Sequence, residues 1–87
     1  MIQVTRKSET EFEVTVQGAT ETTHQVTLSD AYYQKLTKGS ETPESLIERS
    51  FQFLLQREPN TSILGRFDLP VIGTYFAEYE NEIRTGK

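Results

Sequence analysis

The feature that most constrains this chain is a change of rhythm. Up to Leu28 the apolar residues recur at every second position, and from Ser29 onward they recur at every third and fourth. A period of two lays alternate side chains on opposite faces of a strand, and a period near 3.6 lays them along one side of a helix. Strands that come first and helices that follow define the α+β class rather than an alternating βαβ chain.

In Glu11 to Gln17 the alternation is strict, with Phe12, Val14 and Val16 on one face and Glu11, Glu13, Thr15 and Gln17 on the other. Gly18 to Glu21 reads as a turn, and Thr22 to Leu28 alternates again with His24, Val26 and Leu28 inward. Ile2 and Val4 repeat the pattern before a polar loop from Arg6 to Thr10. Residues 1–28 are thus expected to form a three-stranded antiparallel β-meander with one dry face and one wet face.

Residues 29–57 read as two helices. Ser29 is a natural N-cap, Asp30 favours the positive helix end, Tyr32, Tyr33 and Leu36 mark the buried side, and Gly39 marks the stop. Thr42 caps the second helix, Pro43 suits its first position, and Pro59 closes the run beyond Arg57. Leu46, Ile47, Phe51, Phe53, Leu54 and Leu55 cover a wide arc of it, and Glu44, Glu48, Arg49, Gln52 and Gln56 take the polar side.

Residues 60–84 read as a C-terminal helical segment. Asn60 or Thr61 is placed to cap a short turn through Ile63 and Leu64 that ends at Gly65. Asp68, with Pro70 two residues on, is placed to cap one amphipathic helix along which Leu69, Ile72, Phe76, Tyr79 and Ile83 recur at spacings of three and four. The expected architecture is a single α+β domain, with the meander packed against two to four helices.

Composition narrows the function. A chain of 87 residues supports one core, and with 34% hydrophobic residues and no cysteine it has no disulfide framework to reinforce it, which makes self-association a natural route to stability. The lack of cysteine also removes thiol chemistry. Formal charge is −4, and Arg6, Lys7, Lys35, Lys38, Arg49, Arg57, Arg66, Arg84 and Lys87 are scattered, a pattern that weighs against nucleic acid. No apolar run approaches the roughly 20 residues needed to cross a bilayer, and Met1 to Lys7 lacks the order of a signal peptide, so no membrane partner and a cytoplasmic location are expected.

His24 is the only histidine and faces inward, where a polar ring needs a partner; a hydrogen bond to a tyrosine or a backbone group is expected. Glu11 and Glu13 share a strand face about 7 Å apart, but that is how a solvated face looks, and Glu78, Glu80 and Glu82 read as a solvated cluster beside Arg84 and Lys87. The glycines are dispersed and form no phosphate loop. Tyr32, Tyr33, Phe51, Phe53, Phe67, Tyr75, Phe76 and Tyr79 fall mostly at core spacings. No catalytic residue, cofactor or metal ligand is therefore expected. The surplus of helical apolar positions points instead to a non-enzymatic interaction surface on Phe51, Leu55, Leu69, Ile72, Phe76 and Tyr79, facing a protein partner or a second copy in a homodimer.

One stretch, residues 22–57, supports an alternative. Val26-Thr27-Leu28-Ser29-Asp30-Ala31-Tyr32-Tyr33-Gln34-Lys35-Leu36 followed by Thr42-Pro43-Glu44-Ser45-Leu46-Ile47-Glu48-Arg49-Ser50-Phe51 resembles the strand, helix and helix of ribbon-helix-helix regulators. The resemblance implies a DNA-binding or antitoxin-type homodimer whose strands pair between subunits. It further implies that the outward residues Thr23, Gln25 and Thr27 read the major groove and that the second helix holds phosphate at its N-terminus. Glu41 and Glu44 at that N-terminus would repel a phosphate, which keeps the protein-interaction reading first. The remainder, from Glu58 on, is similar to small uncharacterised bacterial proteins and implies no activity.

Overall fold

A computed structural model describes residues 1–85, so Lys87 of the C-terminal charge cluster lies outside the described residues. Strands β1 (Ile2–Arg6), β2 (Glu11–Val16) and β3 (Thr22–Thr27) are followed by helices α1 (Asp30–Thr37) and α2 (Pro43–Leu55). A 3-10 turn at Asn60–Ser62, a short strand β4 (Arg66–Asp68) and helices α3 (Val71–Tyr75) and α4 (Tyr79–Thr85) complete the chain. The α+β class holds. The sheet is not the expected antiparallel three-stranded one: it has four strands in the order β1-β2-β3-β4, and β4 runs parallel to β3.

The meander forms as its alternation requires. Val4 sits opposite Val14, and Val14 opposite His24, so that Phe12, Val14, Val16, His24 and Val26 all enter one buried face. β4 escapes sequence detection because three residues are too few to display a period, yet Arg66, Phe67 and Asp68 do alternate out, in, out. The Gln25 N–H donates to Gly65 O at 2.8 Å, the Leu69 N–H donates to Thr27 O at 2.9 Å, and the Thr27 hydroxyl bonds the Asp68 carboxylate. Asp68 is thereby spent on the sheet and caps no helix. α3 begins at Pro70 without a side-chain cap.

Both N-caps in the middle of the chain are where the sequence puts them. Ser29 Oγ accepts from the Tyr32 N–H at 3.1 Å, and Thr42 Oγ1 accepts from the Ser45 N–H at 3.1 Å. α1 closes through Lys38 and Gly39, whose φ angles of 53° and 77° lie in the left-handed region that glycine enters freely. Asn60 does not cap the 3-10 turn. Its amide crosses to the hairpin and donates to Thr20 O at 2.8 Å and to Thr22 Oγ1 at 2.9 Å.

The expected single C-terminal helix is two. Phe76 takes an extended conformation, φ −128° and ψ 99°, and breaks the run between α3 and α4. Gly73 and the β-branched Thr74 weaken the helix just ahead of this point. The bend carries Phe76 edge-on to Phe53, with centroids 5.8 Å apart, and swings Tyr79 against Phe53 from another side at 5.2 Å. α2 thus lies between the sheet and α4, and its wide apolar arc is absorbed on two sides within one chain. Among the described residues no helix covers the outer face of the sheet.

Candidate functional site

The polar side chains of the interior hold the fold together. His24 Nδ1 lies 2.7 Å from Leu64 O, a contact that requires its proton, and Nε2 lies 2.9 Å from Thr22 Oγ1. Thr22 Oγ1 also accepts from Asn60, so the chain of donors runs Asn60 to Thr22 to His24 to Leu64. The backbone partner expected of His24 is a carbonyl, and the second is a threonine. The ring stacks at a tilt 5.4 Å from Phe51.

A second network secures α4. Ser50 Oγ donates to Leu46 O at 2.8 Å, and because that uses its single proton, the buried Tyr79 hydroxyl 2.7 Å away must donate to Ser50 Oγ. Burial pushes the Tyr79 phenol well above its ordinary range. The Tyr32 hydroxyl donates to Glu80 at 2.7 Å, and burial together with this bond raises the phenol too. The same bond lowers the Glu80 carboxyl; burial opposes the shift, and Lys35, 3.3 Å away, assists it. Arg49 forms a close ion pair with Glu41 and donates to Ile83 O at 3.0 Å, while Arg57 lies 3.6 Å over the Phe53 ring and reaches Glu78 and Glu82. Among the described residues, every buried side-chain nitrogen or oxygen has a partner, and no group of three or more His, Cys, Asp or Glu is arranged to hold a metal ion.

Apolar surface is concentrated where α2 ends. The Arg57 and Glu58 N–H groups both donate to Leu54 O, closing the helix, and the 3-10 turn leads to Ile63 and Leu64. Holding the Leu64 carbonyl on His24 and the Gly65 carbonyl on Gln25 fixes this connection on the sheet, with Ile63 inward and Leu64 outward. Phe67 of β4 follows inward, and Pro70 turns the chain into α3, where Ile72 faces in and Tyr75 faces out. The result is a shallow groove with Ile63, Phe67 and Ile72 at its floor, Leu64, Val71, Tyr75 and Phe76 along its rims, and Glu58 at its mouth. Tyr75 is 66% exposed and Leu64 46%.

Of the residues expected to form an interaction surface, Phe51, Leu69, Ile72 and Tyr79 are buried in the chain's own core, and Leu55 and Phe76 are half-buried. Phe76 and Ile72 reach the groove; the others do not. Tyr75, read from its spacing as a packing aromatic, is instead the most exposed large side chain of the groove. Leu64 and Val71 had no signal beyond isolated apolarity.

Thr23, Gln25 and Thr27 do share the uncovered outer face of the sheet. Their neighbours are mixed in charge: Gln25 stands between Glu13 and Arg66, and Thr27 between Glu11 and Asp68. β3 has β2 on one edge and β4 on the other across Gln25–Thr27, so pairing with a second β3 would require β4 to leave. No helix among the described residues is long and apolar enough to cross a membrane. No protein-family model matches the chain, and no curated protein or solved structure matches it.

Proposed function

We propose that this is a non-enzymatic protein-interaction domain whose contact surface is the groove between the end of α2, the 3-10 connection and α3. One observation carries the reading: Leu64 and Tyr75, both large, apolar and exposed, flank the same apolar groove rather than standing apart. Scattered exposed hydrophobics are ordinary, but grouped ones with a polar mouth mark surfaces that another protein covers. Tyr is well suited to such a contact because it offers large area at little entropy cost.

The test is affinity capture with the tagged chain, comparing the wild type with Tyr75→Glu and Leu64→Glu. Both positions face solvent, so each variant is expected to keep its stability within about 0.5 kcal/mol and to lose the same bound protein. An unchanged captured set would reject the groove as the contact surface.

A DNA-binding regulator is the second reading, supported by Thr23, Gln25 and Thr27 lying together on the open sheet face with Arg66 beside Gln25. Failure to bind any duplex at low ionic strength would reject it.

A further inference from the structure

We propose that the free edge of β1 pairs with β1 of a second copy, joining two chains antiparallel into one continuous sheet. β1 is the outermost strand, and which of its backbone groups are free follows from the antiparallel ladder. The Gln17 N–H donates to Met1 O at 2.9 Å and the Met1 amine to Gln17 O at 3.3 Å, while the Lys7 N–H donates to Glu11 O at 2.8 Å. Opposed residues in an antiparallel pair alternate between bonded and non-bonded. Met1, Gln3, Thr5 and Lys7 therefore turn their N–H and C=O toward β2, and Ile2, Val4 and Arg6 aim theirs out of the sheet.

Edges of this kind are ordinarily blocked by a proline, a bulge or an inward charge. From Ile2 to Thr5 there is no proline, the register against β2 is unbroken, and the inward residues Ile2 and Val4 are apolar and half-buried. Arg6 does not block the edge with its charge. Its guanidinium is tied to its own loop, donating to Ser8 O at 3.0 Å and Glu9 O at 2.9 Å, and it lies 5.4 Å from the Phe12 ring centre.

A second copy is the fitting occupant because the strand is complementary to itself. Antiparallel pairing centred on Val4 overlaps all of Ile2–Arg6, sets Val4 opposite its counterpart and Ile2 opposite Arg6, and uses only residues whose backbone groups face the edge. On the wet face Gln3 meets Thr5, neutral against neutral, while Glu11 and Glu13 lie one strand further in. On the dry face Val4 meets its counterpart and Ile2 meets the aliphatic stem of Arg6. Leu55, half-buried, lies on the flank of α2 roughly 200° around the helix from Phe53, away from α4, and α2 packs across β1.

The inference shares with the groove reading the premise that the chain works by association, but the surfaces are separate. Tyr75→Glu is expected to leave β1 pairing intact, so failure of one reading is distinguishable from failure of the other. Sedimentation equilibrium from micromolar to millimolar chain is expected to show a monomer–dimer equilibrium. Where nine in ten chains are paired, the Val4 and Arg6 amides are expected to exchange about tenfold slower than in dilute solution, as mass action requires, with Gln3 and Thr5 unchanged. The chain has no cysteine, so single cysteines report the register. Val4→Cys is expected to cross-link on oxidation, since bonded antiparallel pairs lie about 5.5 Å apart between Cα atoms, whereas Gln3→Cys, displaced from its counterpart, is not. A monomer at millimolar concentration, a dimer in which the Val4 amide stays fast, or equal cross-linking at Gln3 would each overturn the proposal.

Discussion

Replacing Ser50 with Ala is expected to harm the fold more than removing the hydroxyl of its partner Tyr79, and removing both is expected to restore most of the loss. Ser50 Oγ gives its proton to Leu46 O, so Tyr79 is the donor between the two hydroxyls. Ser50→Ala therefore strands a donor on a side chain with 0% exposure, at a cost of about 1–3 kcal/mol, offset by roughly 0.5 kcal/mol from the better helix propensity of alanine. Tyr79→Phe removes a donor but leaves Ser50 bonded to Leu46, and costs about 1 kcal/mol. The double variant strands nothing and is expected within about 1 kcal/mol of wild type, because paired removal of both partners is close to neutral. Urea denaturation with a constant m-value measures all three, and about 1 kcal/mol corresponds to a Tm shift of roughly 4–8 °C in a domain of this size. Additive losses, or a Tyr79→Phe loss larger than that of Ser50→Ala, would refute this donor assignment.

Other consequences are open to measurement. His24→Leu removes the donor to Leu64 O and the partner of Thr22 and is expected to cost about 1–3 kcal/mol, with faster amide exchange at Gln25, whose bond to Gly65 depends on the same connection. Glu80 has a lower folded than unfolded pKa, so its contribution is present above the ordinary carboxyl range and is lost as pH falls through the folded value; Glu80→Gln is expected to flatten the acid limb of a Tm-against-pH curve. Tyr75→Glu is expected to abolish partner capture while leaving the thermal midpoint unchanged, and the β1 edge is expected to show the amide and cross-linking pattern given above.

The caps and the hairpin were legible because they are local. Ser29, Thr42 and Pro43 act within one helical turn, and Phe12, Val14 and Val16 declare a strand by their own spacing. β4 was not legible, since Arg66–Asp68 becomes a strand only by lying beside Gln25–Thr27. The break at Phe76 was hidden for a different reason: Leu69, Ile72, Phe76, Tyr79 and Ile83 keep a helical spacing across a bend that no longer needs it. Their burial, and the exposure of Tyr75 and Leu64, depend on where the chain returns to the sheet. The groove is thus a product of tertiary closure, and four of the residues first expected to form a contact surface, Phe51, Leu69, Ile72 and Tyr79, lie in the core that closure builds.

The parallel strand also sets an order in time. Thr27 and Asp68 are 41 positions apart, whereas the meander pairs neighbours in sequence, so β1, β2 and β3 can assemble before β4 has emerged during synthesis. In that interval β3 exposes its second edge, and loop closure across α1 and α2 must precede its protection. A neighbouring chain at the same stage can supply the missing strand, so exchange of the Arg66–Asp68 segment between copies is the misassembly that this order of events predicts. The return of Gly65 to Asp68 therefore both ends that exposure and shapes the mature surface.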